Sequence, residues 1–462
     1  MKDLLEKCLN HKISSKANLV QLRGQTRKMT ICIMKNGEII DFSKVILSGI
    51  SSRVLVDNKS WGFSSTNKQN EENAISILGD SIKLAKAAAF SKTQEIDLQP
   101  CKSLKVDKAT PMKINIDDIS SEEIIKVVNE ANKGIQDLGD RVKSSEITYI
   151  SIIDNKHFLS SEDVKIKQHY SRVMLFVDAI TKENGTICPA SENYGHAGGF
   201  ELFTEKSPYD LGNQVATKAV DLLKAKSPPS GKFRVVIHPT LCATLLHEAL
   251  GHPLEADLAM AGGGFSDRIG ELVSSKLATI YDDSMIPNGL GYFTYDDEGI
   301  ECKRTIMIEN GILKSYLHDR TSAAATGVSP TGNGHAWDYS VEPLIRQTNI
   351  GLSPGDFNEE EMLEDIKTGY YLTGTFGGQA NISGDFTFGF QNAFEIINGE
   401  IGEELRGANV SGNAIEVFKS IDAINKEDVL RPGACGKFQF AIQGRVAPAI
   451  RCEILIGGTG GK

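Results

Sequence analysis

The stretch Ser227–Lys232, SPPSGK, divides this chain. The segment before it, LGNQVATKAVDLLKAK, carries apolar residues at helical spacing. Two prolines and a glycine cannot continue that helix, because proline lacks the amide hydrogen and its ring clashes with the preceding turn. A chain of 462 residues broken near its middle is expected to form two large units, or two to three domains. The texture changes across the break.

On the N-terminal side KDLLEKCLN, NEENAISILGDSIKLAKAAAF and SSEEIIKVVNEANKGIQDL read as amphipathic helices. Ser120 and Ser121 are cap candidates for the last of these, with Glu122 and Glu123 at its positive end. NLVQLRG, KMTICIMKNGEIIDF, SRVLVDNKSWGFSS, EITYISIIDNKHFLSSE and QHYSRVMLFVDAIT read as antiparallel strands. Residues 95–115, with Pro100 and Pro111 and little periodicity, read as a connector. Beyond the break FRVVIHP is a short buried strand and TLCATLLHEALG a helix. From about residue 290 strands alternate with turns at Glu298-Gly299, Asn310-Gly311, Asn398-Gly399 and the closing GGTGG. The expected fold class is α+β. An N-terminal α/β domain with an antiparallel sheet spans residues 1–228, and a mostly antiparallel β domain with an embedded helix spans 229–462.

Composition excludes several function classes. A net charge of −10, a pI near 5.5 and no dense basic run argue against nucleic-acid binding, which draws on clustered Lys and Arg. No window approaches 18 uninterrupted apolar residues, so no membrane span is expected. The N-terminus lacks an apolar segment followed by a cleavage site, and the eight cysteines include no C-x-x-C pair. Both features point to a cytoplasmic protein with reduced thiols.

The chemistry lies in Leu245–Asp257, LLHEALGHPLEAD. His247 and His252 are five residues apart, with Glu248 directly after the first. Zinc sites in hydrolases use histidines four apart, which differ by roughly 40° around a regular helix and face one ion. Residues five apart differ by roughly 140° and point away from each other. A π-bulge absorbs one extra residue, and such bulges recur at functional sites. Gly251 makes a relaxed backbone cheap there, and Pro253 ends the helix, so the last turn is free to loosen. Glu248, beside a ligand, can take the proton of a zinc-activated water. The plain alternative is a helix whose histidines are caps or surface groups. Two histidines need a third protein ligand, and His238, Glu255, Asp257 and several cysteines are open candidates.

LLHEALGHPLEADL, ENGILKSYLHDRTSAAATGVSPTGNG, TFGGQANISGDFTF and GACGK together resemble the TldD/PmbA family of zinc metalloproteases, and specifically its TldD-type members, which carry H-E-x-x-x-H. The resemblance is strong from about residue 235 onward and collinear before it. It implies one Zn2+ per catalytic chain, bound by His247, His252 and Cys435, with Glu248 as the catalytic base. It also implies a barrel-like C-terminal domain, small or unfolded peptides as substrate, and a homodimer or a heterodimer with a TldE/PmbA-like subunit. One departure stands out: where TldD-like chains often carry paired arginines after TGNG, this one has His335 and Ala336.

Other residues are weighed on their surroundings. Cys435 is expected in a flexible Gly-rich turn, and Cys452 in an apolar core strand. Glu255 and Asp257 are candidates to orient a ligand imidazole from behind. Gly377 and Gly378 leave backbone exposed for strand addition by an extended peptide, with a tight corner the alternative. Gly332, Asn333 and Gly334 form a turn and, by family position, a candidate peptide contact. Residues 262–268, GGGFSDR, are a loop with a lid as the lesser reading. YDDEG at 295–299 reads as a hairpin turn, since it lacks calcium-ligand spacing. A zinc metallopeptidase is the leading function. A non-catalytic partner that modulates another protein is the alternative, although such a scaffold has no need of Glu248.

Overall fold

The structure is a computed structural model and describes residues 1–457. Most of the GGTGG segment therefore falls outside the described residues.

The N-terminal half is built on one seven-stranded sheet of β1 (Leu19–Lys35), β2 (Glu38–Val56), β3 (Ser60–Thr66), β4 (Leu104–Ala109), β5 (Val142–Ser160), β6 (Val164–Glu183) and β7 (Thr186–Ala197). The order is β3-β2-β1-β5-β6-β4, with β7 also on β6. Asn36 and Gly37 both take positive φ, 51° and 84°, the conformation that joins β1 to β2 by the tightest hairpin. The helices Ser121–Gln136 and Pro208–Asp221 bury Val128, Ala131, Val215 and Ala216 against this sheet. Ser120 caps the first of them in a full capping box with Glu123. The connector expected over 95–115 contains β4, which pairs parallel to β6. Its exposed edge position leaves only a faint alternation in the sequence, which is why it escapes a pattern reading.

The C-terminal half holds a thirteen-stranded sheet. Its centre is β8 (Gly231–Ile237), antiparallel to the long strand Gln439–Gly457 and parallel to Thr368–Thr373. A second parallel pairing joins Asn349–Leu352 to Gln439–Gly457. The sheet is mixed, and its path runs open from Ile312–Leu313 to Glu400–Arg406, so the barrel expected here is not closed. Three short helices, Arg320–Thr326, Glu359–Glu364 and Ala414–Lys419, interrupt the strands. Six or seven residues are too few to register a helical period.

The two halves interlock through the turn at 295–299. It is a turn, as expected, but a buried one: Glu298 pairs with Arg53, and Asp297 pairs with Lys156 at 2.8 Å.

Candidate metal centre

The helix Pro239–Leu245 leads from β8 straight into the core, capped at its start by His238. It does not continue regularly. Leu246–Gly251 form a π-helical turn, followed by a tight turn at His252–Leu254. The wider turn closes the angle that a five-residue spacing opens, and the two imidazole centroids lie 4.6 Å apart. The role of Gly251 differs from the expected one. Its φ and ψ are ordinary helical values, −58° and −53°. What it supplies is room, since a Cβ there would lie 2.1 Å from Gln347 Oε1.

Cys435 arrives from the hairpin of Ala423–Lys437 and Gln439–Gly457, which turns at Phe438 with φ of 58°. It sits in the first arm opposite Ala441, not in a flexible turn, so its direction is fixed by strand register. Its Sγ lies 3.1 Å from His252 Nε2. One ligand atom from each of His247, His252 and Cys435 falls within 4.8 Å of the others. Two nitrogens and a sulfur at that spacing are a donor set suited to zinc. Glu248 stands beside them, its carboxylate oxygens 3.7 Å from His247 Nε2 and 3.9 Å from His252 Nε2.

The surroundings hold each imidazole separately. His247 is fully buried, with Nδ1 2.7 Å from Gln347 Oε1 and Nε2 2.7 Å from the Gln443 amide. Burial, with Arg445 and His252 near, pushes its pKa well below the usual value and keeps it neutral. His252 behaves oppositely. Burial works against its protonation, but Glu255, with Oε1 3.2 Å from Nδ1, and Cys435 outweigh it and raise its pKa to about 10. Glu255 is itself buried, yet His252 and Lys437 hold it down at about 2. Asp257 does not reach the histidines. It pairs with Lys437 at 2.8 Å, and Lys437 in turn pairs with Glu255. Arg346 Nη2 meets Cys435 Sγ at 2.9 Å. Gln347, Gln443, Arg346 and Lys437 escaped the sequence reading. Gln443 leaves a trace as a polar residue inside an apolar strand run, and Arg346 and Gln347 as polar residues between two short ones.

An open cleft exposes Glu248, His252 and Cys435, with Gly378–Ile382 as one wall. Gly378–Ala380 is a strand paired only with Asp385–Gly389, and Gly377 precedes it at φ of 76°. Gly332, Asn333 and Gly334 are not brought to the cleft. Asn333 is buried, donating to Asp282 and to the Arg346 carbonyl, and Gly334 donates to Asp296. The 262–268 loop is anchored by the fully buried Phe265 and by Gly264 donating to the Ile382 carbonyl, which argues against a lid. Cys452 lies in the core, as expected.

Paired imidazoles and a thiol beside a glutamate make up a group of side chains able to hold a metal ion. Family models for the PmbA/TldA metallopeptidase match the chain in three parts: domain 1 over residues 20–89, the central domain over 114–223 and the C-terminal domain over 230–458. The chain belongs to the PmbA/TldD family. It is 35% identical over 417 residues to a metalloprotease of Methanocaldococcus jannaschii, covering 90% of each chain. It is 31% identical over 402 residues to a zinc metalloprotease TldD homolog of Saccharolobus solfataricus, covering 86% of each. In fold it is similar to TldE from Thermococcus kodakarensis, with a TM-score of 0.80 at 17% identity, covering 98% of this chain and 99% of that one. No helix among the described residues is long and apolar enough to cross a membrane.

Proposed function

We propose that this chain is a zinc-dependent metallopeptidase acting on small or unfolded peptides, with residues 229–462 as its catalytic domain. The observation that carries the reading is the convergence of His247, His252 and Cys435 within 4.8 Å around Glu248. One Zn2+ per chain, held by those three side chains, would supply a Lewis acid that polarises the scissile carbonyl and acidifies a water molecule. Neutral His247 is ready to act as a ligand. Glu255 orients His252, and Lys437 fixes Glu255. Glu248, open to the cleft, accepts the water's proton on a carboxylate oxygen and returns it to the leaving amine nitrogen. The strand Gly378–Ala380, bonded along one side only, offers its other edge to an extended peptide. Main-chain pairing of that sort tolerates many sequences and requires an unfolded chain. A second chain, identical or TldE-like, is proposed as partner.

The test is metal content and peptide hydrolysis of the wild type, Glu248→Gln and Cys435→Ala. Glu248→Gln is expected to keep its metal and lose about 100-fold or more in rate, the scale of general-base catalysis. Cys435→Ala is expected to lose metal. A wild type without stoichiometric metal, matched in rate by Glu248→Gln, would sink the reading and leave a metal-independent regulatory partner in its place.

A further inference from the structure

A second polar centre lies between the two halves, beyond Arg346 from the metal site. It is a small cavity of about 40 Å³, room for a few non-hydrogen atoms. Four cationic side chains line it, Arg27, Lys156, Arg172 and Arg346, against one acid, Asp154. Arg27 takes that acid in a two-pronged pair at 2.8 Å, and Lys156 is matched by Asp297. Among the described residues Arg172 and Arg346 make no salt bridge; Asp154, already taken by Arg27, and Glu255, already taken by His252 and Lys437, act on them only from a distance. Arg172 donates to the carbonyls of Leu290 and Tyr292. Arg346 donates to those of Lys437 and Gln439 and reaches the Cys435 sulfur. Both are almost fully buried, 3% and 1% exposed, where an unmatched guanidinium charge is costly.

Donors around the cavity are also unspent. Arg27 Nη1 and Arg346 Nε are buried without a hydrogen-bond partner in the protein, and neither His335 ring nitrogen, one of them the N–H of a neutral imidazole, has a partner at full hydrogen-bond geometry. His335 is held by packing instead, its ring 4.4 Å from that of Phe293. Excess positive charge, idle donors and a volume of three or four atoms together describe a receptor for a small anion. Planar guanidinium groups favour a carboxylate, which accepts on two oxygens at once.

We propose that this cavity binds one carboxylate head group through Arg27, Arg172, Arg346 and His335. The carboxylate comes either from a free small acid or from the C-terminus of a peptide chain, and the two share the same head-group chemistry. The proposal is independent of the peptidase reading, because its readouts require neither metal nor hydrolysis.

The experiment is thermal unfolding and calorimetric titration of the full chain at fixed ionic strength, with sodium formate as probe and formamide as its neutral isostere. Formate is expected to raise Tm saturably and formamide not to. N-acetylglycine binding as well as formate, with N-acetylglycinamide inert, assigns the site to a chain terminus. N-acetylglycine without effect assigns it to a free acid. Arg172→Met is the obvious variant, but it also cuts the bonds to Leu290 and Tyr292. Two others avoid that: His335→Ala should weaken formate about tenfold by removing one charge-assisted donor, and Ala336→Asp, on the cavity wall, should raise Tm without added anion and abolish the formate response. Formate acting no differently from formamide, or Ala336→Asp keeping the full wild-type response, overturns the proposal.

Discussion

Gly251→Ala is the sharpest probe of how the π-turn is held. The new Cβ would lie 2.1 Å from Gln347 Oε1 and 2.4 Å from its Cδ, so the amide must leave. Gln347 is buried, and it contacts His247 Nδ1 at 2.7 Å, the His247 carbonyl at 3.3 Å and Glu255 at 3.4 Å. Losing these at about 1 kcal/mol each, the net worth of an ordinary hydrogen bond, costs roughly 2–3 kcal/mol of stability. Gly251 itself has helical dihedrals, so alanine there gains up to about 1 kcal/mol in propensity. The variant is therefore expected to lose about 1–2 kcal/mol net. In a Gln347→Ala background the three atoms nearest that Cβ are gone, and the sign should reverse, to a gain of up to about 1 kcal/mol. Urea unfolding of chelator-treated protein gives the four corners of the cycle. Competition with a chromogenic chelator gives zinc affinity, expected to fall about 10–100-fold in Gly251→Ala as His247 loses its support. A Gly251→Ala substitution with the same effect in both backgrounds would refute this account of the glycine.

Two further outcomes follow from packing and titration. Phe265→Ala removes a fully buried ring that anchors the 262–268 loop, and should cost about 3–5 kcal/mol in urea unfolding and admit protease cleavage there. Burial, helped by Lys218, pushes His238 down to about 4, so the unfolded chain takes up a proton before the folded one does. Its contribution is present above pH 6.5 and is lost as pH falls toward 4, by up to about 3 kcal/mol. His238→Asn keeps an N-cap acceptor and should flatten the Tm–pH profile over that window; an unchanged profile would rule His238 out as its source.

How much was legible in the sequence depends on how local each cause is. The five-residue spacing of His247 and His252 required a distorted turn, and Gly251 and Pro253 marked its place, because all four lie within seven positions. Asn-Gly turns at 36–37, 310–311 and 398–399 are likewise local, each with positive φ at both residues. Cys435 enters as a candidate through the family resemblance of GACGK, but its place in a strand is not legible there, because hairpin register depends on the turn at Phe438. Gln347 stands in the short link between Leu344–Ile345 and Asn349–Leu352, and Gln443 in the strand Gln439–Gly457, places where polar residues ordinarily face solvent. Only the assembled sheet turns them onto His247. The turn at 295–299 reads correctly as a hairpin, but its burial is not legible, because its partners Arg53 and Lys156 come from the other half of the chain.

That acidic turn is expected to couple the two halves into one cooperative unit, and the chain carries its own reporters for this. It has two tryptophans. Trp61 lies in β3, its ring 3.9 Å from the Arg53 guanidinium carbon, and its indole donates across to Thr321 at 3.0 Å. Trp337 lies in the C-terminal half, 4.0 Å from the guanidinium carbon of Arg27 in β1. Each indole therefore sits on the seam and senses both sides. Separation of the halves would strand Asp297, Glu298, Lys156 and Arg53, all nearly buried, without their counter-charges. While the seam stays closed, breaking such a pair by removing one partner leaves a buried charge uncompensated, at a cost of about 3–5 kcal/mol. Trp61→Phe and Trp337→Phe, each leaving one reporter, should give the same urea midpoint once corrected for their own effect on stability. Lys156→Met, which leaves Asp297 unmatched by its nearest cation, should lower both midpoints equally. Two distinct midpoints, or a shift confined to one tryptophan, would mean that the halves unfold independently and that the buried ion pairs do not couple them.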